Sequence, residues 1–304
     1  MKTKLRLLQV FIVIIITASF ATATWALTSQ TSTQTVCVGN QPYQVDPIAG
    51  ATFVWSITGG VPANYQINGS GNSITVDWNT PGVYVLSVYS YMVIGCPGAT
   101  QQVTVTVVAQ PVGPTLDVKT PNVASVCSGT DVSATFIAGS GGVGCTDAFE
   151  YRFDGGSWSA YTPGTNLNTI GHTLVEIQGQ RNGCSPNAGC SGTPWVTLAS
   201  WIVNPNLPVS VNIAVNLNNV CANTATIYTA TPVNGGTTPV YAWYVNGTIQ
   251  AGTGATFSYT PANGDAIYAT LTSNATCAAG SPATSNTVIM IINPIPATSP
   301  IWHN

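Results

Sequence analysis

The sequence predicts an all-β protein made of three tandem β-sandwich domains in an elongated array. Three observations support this fold class: half-cystines recur at a near-constant interval, many segments alternate in polarity like β-strands, and proline or glycine interrupts nearly every window that could form an amphipathic helix. A repeat of about 90 residues with one potential disulfide per unit is typical of small sandwich domains on exported proteins.

The cysteine interval is the strongest of these signals. The first cysteine of each unit recurs after 90 and 94 residues, and the second follows it by 59, 57 and 56 residues. In an oxidising compartment, this spacing predicts the bridges Cys37–Cys96, Cys127–Cys184 and Cys221–Cys277. Cys145 and Cys190 remain and would form a second bridge in the middle unit, although four cysteines in one unit allow three pairings.

The N-terminal segment has the three parts of a secretory signal peptide. Lys2, Lys4 and Arg6 precede a mostly apolar run, and the small residues Ala21-Thr22-Ala23 suit a cleavage site. The strongly apolar stretch of about ten residues is shorter than the roughly 20 that span a bilayer. We expect residues 1–26 to be removed, the mature chain to be secreted or displayed on the cell surface, and no membrane insertion after cleavage.

The charge of the mature chain excludes several kinds of partner. Lys119, Arg152 and Arg181 are the basic residues left against nine acidic ones. This balance argues against nucleic acid, whose binding depends on many contacts from Lys and Arg to phosphate, and against anionic lipid. Charged residues make up only 5% of the chain while hydrophobic residues make up 45%, which indicates a folded protein whose weakly charged surface allows self-association.

Proline-containing linkers divide the rest of the chain. We place the first domain at residues 27–109, the second at 115–204 and the third at 209–293, with a linker-like tail at 294–304. Segments with period-2 alternation predict the strands. The candidates are TFVWSI, NSITVDW, GVYVLSVYSY and QQVTVTVV in the first domain, DVSATFI, FEYRFDG, HTLVEIQGQ and WVTLASWIV in the second, and TATIYTATPV, VYAWYVNG, ATFSYT, AIYATLTS and NTVIMII in the third.

Turns and tryptophans complete this outline. Asp154-Gly155-Gly156 and Asn246-Gly247 have the composition of hairpin turns. Trp55 and Trp243 follow the first cysteine of their domains by 18 and 22 residues, and we predict that both pack in a domain core near a disulfide.

Several segments resemble known repeat families. Residues 77–91, DWNTPGVYVLSVYSY, are similar to the signature of PKD-type domains, although FVWSITGG replaces the usual acidic motif. The segment YRFDGGSWSAYTPGTNLNTIGHTLVEIQGQRNGC in the second domain, and VCANTATIYTATPVNGGTTPVYAWYVNGT in the third, resemble Ig-like repeats of large secreted Bacteroidetes surface proteins.

That resemblance implies Ig-like/PKD-like modules that act as stalks or adhesive arrays, many of them exported by type IX secretion and associated with gliding motility. Such proteins usually end in a C-terminal sorting domain, whereas this chain stops in a linker-like segment at Trp302-His303-Asn304. The resemblance therefore leads us to expect either a piece of a longer protein or another secretion route.

No residue set in the sequence looks catalytic, and we expect no enzyme activity, cofactor or metal. His172, the sole histidine inside a domain, is expected to be exposed or hydrogen-bonded at a strand start. The nearest carboxylates are Asp147, Glu150 and Asp154, and Arg152 between them is expected to pair with one. Glycosidases need two facing carboxylates and calcium needs a cluster, which these scattered acids do not clearly provide.

The first functional hypothesis is therefore a disulfide-stapled structural or adhesive module without catalysis, with surface glycans or other proteins as partners. The first alternative is a carbohydrate-binding accessory protein that uses exposed aromatic residues: Trp158 and Tyr161, with Tyr65 and Trp78 as further candidates. The second alternative is a self-assembling filament subunit, in which residues 27–36 would be exchanged between copies as a strand.

Overall fold

The computed structural model describes residues 33–93, 95 and 97–303, so the predicted signal peptide lies outside the described residues. Within that part of the chain the structure contains β-strands and two short 3-10 helices, Pro62–Asn64 and Pro186–Ala188, and no α-helix. The predicted all-β fold class is confirmed. The chain divides into two compact units, residues 1–108 and 109–304.

The first unit is a two-sheet sandwich. Its strands are Thr33–Cys37 (β1), Gly39–Gln44 (β2), Ala51–Thr58 (β3), Tyr65–Asn68 (β4), Ser73–Trp78 (β5), Gly82–Met92 (β6) and Gln101–Val108 (β7). One sheet has the order β1-β7-β6-β3 and the other β2-β5-β4. Because β1 pairs with β7 of its own sheet, residues 33–36 of the proposed exchange segment already have a partner strand; residues 27–32 lie outside the described residues.

The core of the first sandwich forms around Trp78, whose side chain is fully buried. Its indole Nε1 donates to the hydroxyl of Tyr43 at 3.1 Å, and its ring packs against Tyr84 and Tyr65. The expectation that Trp55 fills this core is wrong in part: Trp55 is half-buried at the margin, because it lies on the edge strand β3 and its Nε1 donates to the carbonyl of Gly71.

The second unit contains two further sandwiches. The strands of the second sandwich are Thr115–Thr120 (β8), Ser125–Cys127 (β9), Asp131–Ile137 (β10), Thr146–Phe153 (β11), Ser159–Ala160 (β12), Leu167–Asn168 (β13), Leu174–Asn182 (β14) and Val196–Asn204 (β15). They form sheets of order β13-β10-β8 and β12-β11-β14-β15-β9. The hairpin predicted at Asp154 is confirmed, since β11 and β12 pair across it.

The third sandwich follows a short connecting strand, Leu207–Pro208 (β16). Its strands are Ser210–Val215 (β17), Val220–Cys221 (β18), Thr226–Val233 (β19), Val240–Val245 (β20), Thr248–Ile249 (β21), Thr256–Tyr259 (β22), Ala266–Thr272 (β23), Ala278–Ala279 (β24), Ala283–Thr284 (β25), Val288–Ile289 (β26) and Ile292–Asn293 (β27). The main sheets are β17-β19-β22 and β21-β20-β23-β25, with β26 also on β23. The Asn246-Gly247 hairpin is confirmed.

Each sandwich has its own hydrophobic core with one fully buried tryptophan: Trp78, Trp201 and Trp243. The prediction that Trp243 is a core residue is confirmed. Alternation along the strands explains these cores, because every second side chain of a strand points to the same face. Three separate cores agree with tandem sandwiches, while the predicted boundaries at 27–109, 115–204 and 209–293 stay a prediction.

One local arrangement recurs in all three sandwiches. The strand that ends at the first cysteine runs parallel to the last strand of the same sandwich, so that Cys37 lies opposite Val108, Cys127 opposite Asn204 and Cys221 opposite Asn293. The residue after each cysteine then donates its amide to the carbonyl of that partner, at 2.8, 2.9 and 2.9 Å.

The next position completes the repeat, because the second residue after each cysteine has a positive φ: Gly39, Gly129 and Asn223. Glycine and asparagine are the residues that adopt this left-handed region most readily. The three first cysteines are therefore structurally equivalent, as their regular spacing in the sequence suggested.

The disulfides differ from the predicted pairing. Cys127 is bonded to Cys277, and Cys145 is bonded to Cys184. The predicted bridges Cys127–Cys184, Cys221–Cys277 and Cys145–Cys190 are therefore wrong. Cys37 and Cys190 are also disulfide-bonded, Cys96 lies outside the described residues, and Cys221 is free and exposed.

Candidate functional site: the junction of the second and third sandwiches

A disulfide joins the second sandwich to the third. Cys127 ends β9, which lies at the edge of its sheet, and Cys277 lies in the turn between β23 and β24. Their Cα atoms are 5.3 Å apart, although 150 positions separate them in the sequence. Cys277 has a φ of 63°, which few non-glycine residues adopt, so the turn presents this cysteine in an uncommon backbone conformation.

Backbone hydrogen bonds hold the connecting segment beside the disulfide. The amide of Leu207 donates to the carbonyl of Cys277, and the amide of Val209 donates to the carbonyl of Ala279, both at 2.8 Å. The segment thereby adds β16 as a parallel partner to β24 of the third sandwich. A connection with its amides committed to a neighbouring strand has little of the freedom of an open linker.

Side chains tie the same segment to both sandwiches. The side-chain amide of Asn206 donates to the carbonyl of Ser128 at 3.0 Å, directly after the bonded Cys127. The side-chain amide of Asn234 donates to the carbonyl of Pro208 at 2.7 Å. The junction thus combines one covalent bond with hydrogen bonds to each side, and its chemistry is that of a mechanical connection.

Sequence reasoning located this linker but missed its covalent bond. The prolines in NPNLPVS indicated a short, restricted connection. Cysteine spacing favoured bridges within a domain, because each domain contains two cysteines at a similar interval. The sequence signal at the junction is the similarity of the first-cysteine segments, VCSGT and VCANT, which are identical at three of five positions. This similarity marks the two cysteines as equivalent but does not identify their partners.

The predicted aromatic binding pair does not form an exposed surface. Tyr161 is 6% exposed and belongs to the core of the second sandwich, so its prediction as a ligand-binding residue is corrected. Trp158 is half-buried, and the guanidinium of Arg152 lies 4.4 Å from its ring centroid. Of the further candidates, Trp78 is fully buried and Tyr65 donates its hydroxyl to the carbonyl of Ile57.

The acidic residues around Arg152 are separated by their hydrogen bonds. Arg152 pairs with Glu176 at 2.7 Å, so the expected pairing with Asp147, Glu150 or Asp154 is wrong. The reason is the register of β11 and β14, which places Arg152 directly opposite Glu176.

The two other strand acids also have partners of their own. Asp147 forms an ion pair with Arg181 at 2.9 Å, and it accepts the amide of Gly139. Glu150 accepts a hydrogen bond from the side chain of Gln178. These carboxylates therefore stabilise β-structure, and they do not face each other across a cleft as a glycosidase pair would.

Asp154 and His172 form a polar cluster at the β11–β12 turn. Asp154 Oδ2 lies 2.8 Å from His172 Nδ1, and Oδ1 accepts hydrogen bonds from the amides of Thr173 and Leu174 and from the Thr173 hydroxyl. These bonds, that of His172 first, hold the pKa of Asp154 well below its usual range. The ring of His172 stacks on Phe153 at 3.8 Å, so the cluster anchors the turn to the start of β14.

The expectation of a hydrogen-bonded His172 is confirmed. Within the described part of the chain, no group of three or more His, Cys, Asp or Glu side chains is placed to hold a metal ion. The same described residues contain no helix that is long and apolar enough to cross a membrane.

Comparisons with known proteins return structural likeness only. No family model matches the chain, and no curated protein matches it. The full ectodomain of mouse nectin-like molecule 4 (Ig1–Ig3) is similar over 88% of this chain and 99% of its own, at 13% identity and a TM-score of 0.34.

Extracellular domains 3–5 of Drosophila OTK are similar over 86% of this chain and 94% of their own, at 8% identity and a TM-score of 0.31. Sidekick-1 immunoglobulin domains 1–5 are similar over 86% of this chain and 57% of their own, at 10% identity and a TM-score of 0.31. At TM-scores of this size, the assignment of the fold rests on the strand order and the three cores described above.

Proposed function

We propose that this protein is a secreted or cell-surface structural module, a disulfide-stapled β-sandwich spacer without catalysis. The observation that carries this function is the Cys127–Cys277 disulfide between consecutive sandwiches. A bridge within one domain would stabilise that domain alone, whereas a bridge between domains transmits load from one to the next.

The position of the Cys127–Cys277 disulfide, called the staple below, determines the path of a stretching force through the second unit. Tension entering at residue 109 reaches Cys127, crosses the disulfide to Cys277 and leaves through residues 278–304. The residues between Cys127 and Cys277 lie outside this covalent path. They include Trp201 and Trp243, the fully buried tryptophans of the two cores. The staple therefore protects most of the two sandwiches from mechanical unfolding, which suits a spacer under load.

Other features support an extracellular, non-catalytic role. Disulfides persist in oxidising compartments, and the predicted signal peptide would deliver the chain to one. The acidic residues that could act in catalysis instead pair across strands or brace a turn. For an adhesive role the partners we propose are other proteins or glycans, which the weakly charged surface would meet mainly through hydrogen bonds.

Single-molecule stretching of the full chain tests the load path. The double variant Cys127→Ser/Cys277→Ser should unfold to a length greater than that of the oxidised parent by up to about 390 Å at about 3.5 Å per residue, because the intact Cys145–Cys184 disulfide keeps 39 of the 150 released residues closed. Equal extensions for the two proteins would overturn the proposed load-bearing role.

A matched control uses the free thiol inside the same loop. Cys221 lies between Cys127 and Cys277 in the sequence and forms no disulfide. The variant Cys221→Ser should stretch to the same length as the parent, because it removes no disulfide bond. Extra extension in this control would show that the added length does not report the loss of the Cys127–Cys277 bond.

A further inference from the structure

The unpaired Cys221 occupies the same structural position as the stapled Cys127. Each ends a short strand parallel to the last strand of its sandwich, opposite an asparagine, Asn293 and Asn204 respectively. The following residues, Ala222 and Ser128, donate their amides to these asparagines at the same distance of 2.9 Å.

The turns after the two cysteines also match. The carbonyl of Cys127 accepts a hydrogen bond from the amide of Thr130, and the carbonyl of Cys221 accepts one from Thr224. A proline follows each of the two paired asparagines, since Asn204-Pro205 begins the connection to the third sandwich and Asn293-Pro294 lies at the end of β27. The geometry that directs Cys127 into an inter-sandwich disulfide is thus repeated at Cys221.

The equivalent cysteines supply the evidence for what Cys221 binds. Cys127 is bonded to Cys277 of the next sandwich, and Cys37, the third equivalent, is also in a disulfide. Only Cys221 of the three is free, and it is exposed. A free, exposed thiol on an exported protein is available for pairing.

We infer that Cys221 is a docking cysteine, which forms a disulfide with a further β-sandwich module that presents a cysteine in the position of Cys277. Such a module would follow β27, the last strand of the third sandwich, in the same way that the third sandwich follows β15. The segment connecting it to β27 would form a strand paired with the module, as β16 pairs with β24. A second copy of this chain does not fit that role through its third sandwich, because Cys277 is already bonded to Cys127.

The bond forms by thiol–disulfide exchange with a small disulfide such as oxidised glutathione. The thiolate of one cysteine attacks the glutathione disulfide and releases one reduced glutathione, leaving a mixed disulfide. The second cysteine thiolate displaces the other glutathione and closes the new S–S bond. Two protein thiols are oxidised, and one glutathione disulfide is reduced to two glutathione thiols.

This inference rests on the proposed spacer function, but its failure would leave that function intact because the Cys127–Cys277 staple does not involve Cys221. The test extends the chain, with residues 205–293 repeated directly after Asn293, so that the new junction has the sequence of the native Asn204-Pro205 junction. In the added copy, Cys221→Ser removes the second free thiol. The extended protein is refolded with oxidised and reduced glutathione and mapped by mass spectrometry without reduction.

We expect the native Cys221 to be bonded to Cys277 of the added copy and to lose its labelling by iodoacetamide. In a matched extended protein whose added copy carries Cys277→Ser, Cys221 should stay labelled. The inference is overturned if Cys221 remains labelled in the first protein although hydrogen exchange shows the added sandwich to be folded. It is also overturned if Cys221 is found bonded to Cys221 of a second molecule.

Discussion

The hydroxyl of Tyr161 lies 2.9 Å from the amide nitrogen of Ala134 and accepts its hydrogen bond inside the second sandwich. The same hydroxyl lies 3.2 Å from the carbonyl of Ala134 and 3.0 Å from that of Thr165, to which it can donate. A residue that sequence reasoning assigned to glycan binding thus joins the loop after β12 to the central part of β10.

The variant Tyr161→Phe should therefore destabilise the second sandwich. Removal of the hydroxyl leaves the buried amide of Ala134 without this acceptor, and we expect a loss of about 1–3 kcal/mol. Hydrogen exchange over residues 115–204 would measure it. The variant Tyr89→Phe, at an exposed position of the first sandwich, is the control and should leave this protection unchanged. Unaltered exchange in Tyr161→Phe would contradict the bracing role.

The staple itself should contribute strongly to stability. The variant Cys127→Ser/Cys277→Ser frees a loop of 150 residues in the unfolded chain, and we expect a loss of about 2–5 kcal/mol in the free energy of unfolding of the second unit. Chemical denaturation in the absence of reductant measures this change. Cys221→Ser, which removes a free exposed thiol, should shift the midpoint little by comparison.

The Asp154 cluster predicts a dependence of stability on pH in the acid range. Because hydrogen bonds lower the pKa of Asp154 in the folded protein, its stabilisation is complete above the unfolded pKa of about 3.9 and is lost as the pH falls towards the folded value. Asp154→Asn should be less stable than the parent at pH 7, and the difference should shrink below about pH 4.

Denaturant unfolding of both proteins across that pH range would measure the effect. Asp117→Asn is a useful control, because Asp117 is an exposed acid of the same sandwich that accepts a hydrogen bond from the Thr135 hydroxyl. A difference between Asp154→Asn and the parent that stays constant from pH 7 to the acid limit would contradict the predicted role of the carboxylate.

The core tryptophan of the first sandwich should be essential to its stability. Trp78→Ala removes a fully buried ring that packs on Tyr65 and Tyr84, and we expect a loss of about 3–5 kcal/mol. Loss of hydrogen-exchange protection in residues 33–93 would report it, with protection in the third sandwich retained. Trp302→Ala, at a position 85% exposed, is the matched control and should leave protection in both regions unchanged.

Much of the fold could be predicted from the sequence because local rules govern it. Alternation such as that of Val103, Val105 and Val107 indicates a strand with one buried face, and the Asn246-Gly247 turn follows from backbone preferences of two residues. The choice of core tryptophan was harder. Trp55 and Trp78 both lie on strands of the first sandwich, and only the position of β3 at the sheet edge leaves Trp55 partly exposed.

The sequence by itself determined the β-sandwich class, the three sandwiches and the equivalence of their first cysteines. Strand alternation and turn composition are properties of neighbouring residues, and the repeat spacing can be counted along the chain. The tertiary structure alone decided which cysteines pair and which aromatic residues are buried. A disulfide requires Cα atoms within about 7 Å, and the 5.3 Å between Cys127 and Cys277 depends on the connecting segment, whose Leu207 hydrogen-bonds to Cys277 and whose Asn206 hydrogen-bonds to Ser128. Sequence spacing does not encode that contact.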